Sequence, residues 1–270
     1  MAEIMGIINL NEDSFYAASR VKADEAVERA RVMLQEGADI LDLGACSTRP
    51  GSRPPLPAEE WRRLEPALKA IREAFPKARL SVDTYRASVV ERTFDTIGPF
   101  LVNDISAGHL DKEMLKTVGR LGLPYAAMHM RGTPETMQRL TNYETDITRA
   151  VSSYFQAFAR EADENGIADW ILDPGFGFAK TVEQNYELLR NMDKLKSFGR
   201  RILVGVSRKS MIYKPLGITP EEALAPTQVL HFVALEKGAD ILRVHDVAEA
   251  VRTVRLYSTM YTSSPGAANL

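Results

Sequence analysis

The chain has 270 residues, 45% of them hydrophobic, and its 34 basic against 36 acidic side chains leave a formal charge of −2. That balance excludes the basic stripe of a nucleic-acid binder, and no apolar run approaches the ~20 residues of a membrane-spanning helix. Cys46 is the only cysteine, which excludes an intramolecular disulfide and suits a reducing cytoplasm, and the N-terminus lacks the basic-then-apolar pattern of a secretory signal.

Along the chain, short apolar runs alternate with longer amphipathic stretches. A strand is expected over residues 4–8, then a helix over 23–36; a strand over 40–43, then a helix over 58–75; a strand over 80–82, then a helix over 87–96; a strand over 100–102, then a helix over 112–121. The second half repeats the pattern, with strands over 125–128, 170–172, 202–206 and 241–244 and helices over 145–165, 182–195, 220–236 and 247–260. Strict strand–helix alternation implies a parallel sheet. Eight such units in a chain near ~250 residues imply closure into a (β/α)₈ TIM barrel, with an open doubly wound sheet as the structural rival. Glu36-Gly37-Ala38-Asp39 and Lys237-Gly238-Ala239-Asp240 mark helix ends, where glycine supplies a positive φ. No linker interrupts the pattern, so residues 1–260 read as one domain and 261–270, small and polar with Pro265-Gly266, as a flexible C-terminal tail.

Functional side chains cluster where the apolar runs stop. The expected strands end at or run into Asn9, the stretch Gly44 to Gly51, Asp83, Asn103-Asp104, His129, Asp173-Pro174-Gly175-Phe176-Gly177-Phe178, Ser207-Arg208-Lys209-Ser210, and Arg243 with His245-Asp246. The carboxyl ends of barrel strands converge on one mouth, where barrel enzymes place their chemistry. A single strand-end Asp is more often a helix cap; eight strand ends that nearly all carry polar groups are harder to explain as caps.

Asp173, between an apolar run and a Gly-rich turn, suits a carboxylate that accepts two parallel N–H bonds from a flat amino-heterocycle; the bland alternative is a brace for the loop. Asp83 and Asn103, at neighbouring strand ends, can grip further ring donors and acceptors, and a carboxylate there favours positive charge developing on a substrate. Asp104 reads equally well as a cap. Of the consecutive Arg208 and Lys209, one faces the site, and Lys209 is the choice. Arg243 and His245, two apart, form an anion clamp, the alternative being an Arg–Asp brace with Asp246. Thr48 and Arg49, in a Pro/Gly-bounded loop, suit a lid or a plain turn. His109 and His231 read as structural, and His129 is open. Neither zinc-ligand spacing nor a P-loop is present.

In this order and spacing the motifs resemble those of the dihydropteroate synthases. The resemblance runs from residue 5 to about 256. It is carried by Met5-Gly6-Ile7-Ile8-Asn9, Asp13-Ser14-Phe15, Ser47-Thr48-Arg49-Pro50-Gly51, Ser81-Val82-Asp83-Thr84, Val102-Asn103-Asp104-Ile105, Met128-His129-Met130 and the stretches 172–178, 206–210 and 241–247. It implies a transferase that joins 6-hydroxymethyl-7,8-dihydropterin diphosphate to 4-aminobenzoate, with sulfonamides as competitors, in a cytoplasmic homodimer. It implies that Asp83, Asn103, Asp173 and Lys209 hold the pterin, with Met128 also at the substrate site. Asn9, Arg243 and His245 then hold the diphosphate with Mg²⁺, Asn9 serving as the metal ligand. Thr48, Arg49, Pro50, Phe178 and Ser210 shape the aminobenzoate site, and Asp83, Asp173 and Lys209 are the expected catalytic residues. Departures from the family pattern are Asn11-Glu12 for Thr-Pro, Ala17-Ala18-Ser19 for Asp-Gly-Gly, Cys46 for Glu and Ala225-Pro226-Thr227 for Asn-Gly-Thr. Two other readings share the motifs, a methyltransferase acting on methyltetrahydrofolate and a pterin-binding protein without turnover. The first has no diphosphate to neutralise, which the Arg243/His245 pair disfavours.

Overall fold

The computed structural model describes residues 1–10, 19–46 and 55–262. Its strands are β1 (Glu3–Asn9), β2 (Ile40–Gly44), β3 (Arg79–Asp83), β4 (Leu101–Asp104), β5 (Tyr125–Met128), β6 (Trp170–Asp173), β7 (Leu203–Val204) and β8 (Ile241–Val244). All neighbours pair in parallel in the order β6-β5-β4-β3-β2-β1-β8-β7. One isolated parallel bridge, Leu172 to Ile202, joins β6 to the β7 side and closes the ring. The result is the eight-stranded TIM barrel expected from the alternation.

The helices among the described residues are α1 (Ser19–Glu36), α2 (Pro57–Ala74), α3 (Ala87–Ile97), α4 (Met114–Leu121), α5 (Ile147–Glu164), α6 (Val182–Arg190), α7 (Ser210–Leu216), α8 (Leu224–Glu236) and α9 (Val247–Thr262). Gly37 and Gly238 take φ of 103° and 88° just beyond α1 and α8, as expected at those turns. Pro226 falls in the first turn of α8, where its missing N–H costs no intrahelical bond. Two differences from the sequence reading stand out. The short α7 has no counterpart there, because Pro215 inside it and Gly217 after it erase the helical period. Tyr261, read as tail, belongs to α9, where its hydroxyl donates to Glu236 across 2.5 Å; residues 263–270 lie outside the described residues.

Because side chains alternate along a strand, each strand sends one set outward and one into the barrel. Ile4, Leu41, Val82, Leu172 and Leu242 face the helix layer and merge into the main core. Met5, Ile40, Leu101, Ala126, Ile171, Leu203 and Ile241 point inward and form a separate apolar plug. Two residues further along six of these strands, the same inward face carries Ile7, Asp42, Asn103, Met128, Asp173 and Arg243. The plug is therefore the floor of a polar layer at the carboxyl end.

Candidate active site

The polar layer is built by register. Asp42 pairs with Ser81, Asp83 with Asn103 and Met128 with Asp173 across adjacent strands, so their side chains lie side by side. Arg243 reaches past β1 from β8. Its Nε donates to Asp42 Oδ2 over 2.6 Å and its Nη2 to Asp83 Oδ2 over 2.7 Å. Asp42 is fully buried and accepts two further bonds, from Ser81 Oγ at 2.6 Å and Asn103 Nδ2 at 3.2 Å. Sequence reading attended to strand ends and missed Asp42 and Ser81. The signal available was period-two spacing, since Asp42 shares its face with Ile40 and Gly44.

These contacts set the charges. Burial pushes the Asp83 carboxyl up to about 7; Arg243 resists the rise and Asp42 adds to it. Burial pulls the Arg243 guanidinium down, but Asp42 and Asp83 outweigh it and leave the group more basic than usual. Asp173 is also raised by burial, against the pull of Lys209 and the Gly175 N–H that donates to its Oδ1 at 2.8 Å. Among the described residues no hydrogen bond reaches Asp173 Oδ2, so this oxygen is available to a ligand. Burial lowers the Lys209 ammonium to about 8, with Asp173 opposing. Lys209 Nζ donates to Phe176 O at 2.6 Å and sits 4.9 Å from the centre of the Phe178 ring.

The consecutive basic pair divides as expected. Arg208 turns away at φ 54°, gives Asp246 two bonds of 2.8 and 2.9 Å, and donates to the carbonyls of Pro220 and Glu221. The Arg–Asp brace therefore exists, but Arg208 makes it rather than Arg243. The anion-clamp reading of Arg243 and His245 needs a correction of state. Before any ligand arrives, the Arg243 fork is engaged by two carboxylates. His245 is pushed down to about 4 by burial and by Arg243, so it is neutral, with Nδ1 3.0 Å from Ser207 Oγ. Ser210 opens α7, and Asn9 stands exposed at the end of β1.

Other expected residues have structural employment. Asp104 accepts from Ser106 N, Ser106 Oγ, Gly108 N and Tyr125 Oη at 2.6 to 2.9 Å, which makes it the cap of the loop after β4. His109 bonds Ser106 O, and His231 is buried with Nδ1 on Gln228. Burial raises the Cys46 thiol to about 11, which keeps it protonated. Thr48, Arg49 and Pro50, with the departures at Asn11, Glu12 and Ala17, lie outside the described residues. Among the described residues no three His, Cys, Asp or Glu side chains gather as a metal cage, and no helix is long and apolar enough to cross a membrane.

Residues 5–245 match the family model of the pterin binding enzymes. The dihydropteroate synthase of Escherichia coli K12 is 38% identical over 256 residues, covering 94% of this chain and 89% of that protein. The Yersinia pestis dihydropteroate synthase, solved in a sulfonamide drug complex, superposes with a TM-score of 0.90 at 34% identity, covering 97% of this chain and 95% of the other. The Thermus thermophilus dihydropteroate synthase, solved with 4-aminobenzoate, gives 0.85 at 37% identity, covering 96% and 95%. The folic acid synthesis protein fol1 of Pneumocystis carinii is also 38% identical, but this chain spans only 36% of its length.

Proposed function

The chain belongs to the pterin binding enzymes and stands among their dihydropteroate synthases, and from that premise we propose that it condenses 6-hydroxymethyl-7,8-dihydropterin diphosphate with 4-aminobenzoate, giving 7,8-dihydropteroate and diphosphate. The observation that carries the reading is the convergence of Asp83, Asn103, Asp173, Lys209 and Arg243 on one barrel mouth. Asp173, with one oxygen unengaged, accepts the paired N–H groups of the pterin's amino-pyrimidine edge. Asn103 and Lys209 meet the remaining acceptors, and Met128 packs beside them.

The Arg243 fork and the His245 ring receive the diphosphate. Its arrival changes the balance around Arg243, which exchanges part of its carboxylate pairing for phosphate oxygens. Asp83 keeps its contact with Arg243, which favours its ionised form, and as a carboxylate beside the reacting centre it favours the cationic pterin methylene left as the C–O bond to diphosphate breaks. The arylamine nitrogen then attacks that carbon and sheds a proton to solvent or diphosphate. Phe178 and Ser210 form the aminobenzoate side, where sulfonamides compete, and Thr48, Arg49 and Pro50, which lie outside the described residues, are expected to belong to it.

Magnesium suits this site. Asn9, whose side chain carries an amide oxygen, is exposed at the end of β1, and Mg²⁺ on a diphosphate needs only one or two protein oxygens beside phosphate and water. When bound, it offsets the charge of the leaving diphosphate. The protein is further read as a cytoplasmic homodimer, joined through outer helices away from the mouth; Val229 on α8 and Leu256 and Met260 on α9 are exposed apolar side chains there.

The test is diphosphate release with Mg²⁺, with and without 4-aminobenzoate, for the wild type, Lys209→Ala and Asp173→Asn. Release coupled to dihydropteroate formation and lost in both variants is the expected result. Pterin binding with no release under any condition would overturn the synthase reading in favour of a binding protein.

A further inference from the structure

Behind the site lies a buried amine that the reaction as described does not use. Lys180 is 4% exposed, and its Nζ has three partners: Gly175 O at 2.8 Å, Phe178 O at 3.0 Å and His129 Nδ1 at 2.9 Å. Burial lowers the Lys180 pKa well below the usual lysine range; with three partners its nitrogen is saturated, either as an ammonium donating three bonds or as an amine donating two and accepting one from His129. The first two partners are the ends of one tight turn, because Phe178 N also donates to Gly175 O at 3.1 Å. The third ties the turn to the end of β5, where His129 N donates to Asp173 O at 2.9 Å.

The turn needs such a tie. Gly175, Gly177 and Ala179 all take positive φ, at 69°, 82° and 49°, and alanine rarely adopts that region. Gly175 also has no room for a side chain, since a Cβ there would lie 2.0 Å from His129 O. Side chains occupy the rest of the turn: Gly177 N donates to Asn185 Oδ1, Gln138 Nε2 to Gly177 O, and Lys209 Nζ to Phe176 O. Lys209 is needed by the pterin, so its bond to the turn is given up when substrate binds. Lys180 is buried beneath and has no such competing duty.

We propose that Lys180 is a positioning residue for the second substrate: it clamps both ends of the 175–178 turn and thereby fixes the Phe178 ring over the aminobenzoate side. The inference rests on the functional reading above. The two substrate sides depend on it unequally. Asp83, Asn103 and Asp173 stand in strands held by the barrel's own ladders and Lys209 precedes α7, whereas Phe178 is carried on the turn, with its ring packed against the cluster that includes Ile105, Met128 and Met137. Loss of the clamp therefore weakens aminobenzoate recognition and spares pterin binding.

The experiment first measures dihydropteroate formation by the wild type, whose absence counts against the function and not against the clamp. Calorimetric titration with pterin diphosphate and then with 4-aminobenzoate follows, for the wild type, Lys180→Met and Lys180→Gln, each checked by thermal melt. In the Met variant the affinity for 4-aminobenzoate, and its KM where turnover exists, is expected to worsen at least about tenfold through misplacement of the ring. Pterin affinity stays within about threefold, and the Gln variant, which keeps two donors, falls between. If Lys180→Met does not fold, Lys180→Gln carries the comparison alone. In a Phe178→Ala background the Lys180 substitution should add little, because both act through the same ring. Equal loss for both substrates, no change for 4-aminobenzoate, or full additivity with Phe178→Ala would each overturn the proposal.

Discussion

Arg243 Nε lies 2.6 Å from Asp42 Oδ2, a pairing that joins β8 to β2 past the intervening β1 in the polar layer of the barrel. Asp42 is fully buried, so the pair is shielded from solvent and each member depends on the other. Replacing Asp42 by Asn keeps the shape and removes the charge. Breaking a buried pair at one partner costs about 3–5 kcal/mol, reduced here because Arg243 keeps Asp83. Asp42→Asn is expected to fold with a lower urea midpoint and to lose about tenfold or more in kcat/KM for the pterin diphosphate as the guanidinium drifts. Unchanged kcat/KM would show that Arg243 holds its place without Asp42.

The pH profile follows from two opposing titrations. Asp83, raised to about 7, becomes a carboxylate only as pH climbs past that value. Lys209, lowered to about 8, loses its proton above it. The kcat/KM profile reports the free enzyme, so it should be a narrow bell between these two limbs. Lys209→Arg, which stays charged, should retain the acidic limb and lose the alkaline one at whatever activity remains. An alkaline limb that survives in Lys209→Arg would assign it to another group.

His245 is neutral in the free protein because burial and Arg243 hold it at about 4. A bound diphosphate is an anion that engages Arg243 and favours the imidazolium, so the His245 pKa should rise on binding. NMR titration of labelled histidine with and without magnesium diphosphate reads this directly. A His245 resonance that titrates identically in both states would place the anion elsewhere.

His231 makes acid lability specific. Its ring is fully buried on α8 and is held at about 4, against 6.5 for the free side chain, by burial with partial relief from Asp246. The folded pKa is the lower one, so the unfolded chain takes up the proton first. Stability from this residue is complete above about pH 6.5 and is lost as pH falls toward 4. His129, also buried and lowered, adds in the same direction. Denaturant melts from pH 7 to 4 should show a steeper decline for the wild type than for His231→Gln. Equal slopes would mean that other groups govern the acid transition.

The barrel was legible in the sequence because strand–helix alternation is a local signal repeated eight times, and the strand ends announced themselves as polar residues after apolar runs. The exceptions share a cause. Asp42 and Ser81 lie within strands and are exposed as site residues only by counting in twos from the plug. Lys180 falls between the Gly-rich stretch 173–178 and the helix expected over 182–195, and nothing in the sequence marks it; its part emerges once the Gly-rich turn folds back over it, and a contact of that kind leaves no trace in spacing. The α7 helix owes its existence to packing rather than to periodicity, with Met211 and Ile212 buried. The division of Arg208 from Lys209 was foreseeable from alternation, whereas the neutral state of His245 depends on a cation from the same strand and on burial, neither of which a sequence displays.

The ring of strands is closed between β6 and the β7 side by the single bridge Leu172 to Ile202. Asp173 follows one lip of that seam and Lys209 the other. A heterocycle that takes hold of both is therefore also a stitch across the place where the cylinder is least sewn, and its binding energy is shared with the scaffold. Thermal protection by the pterin substrate alone should accordingly be large.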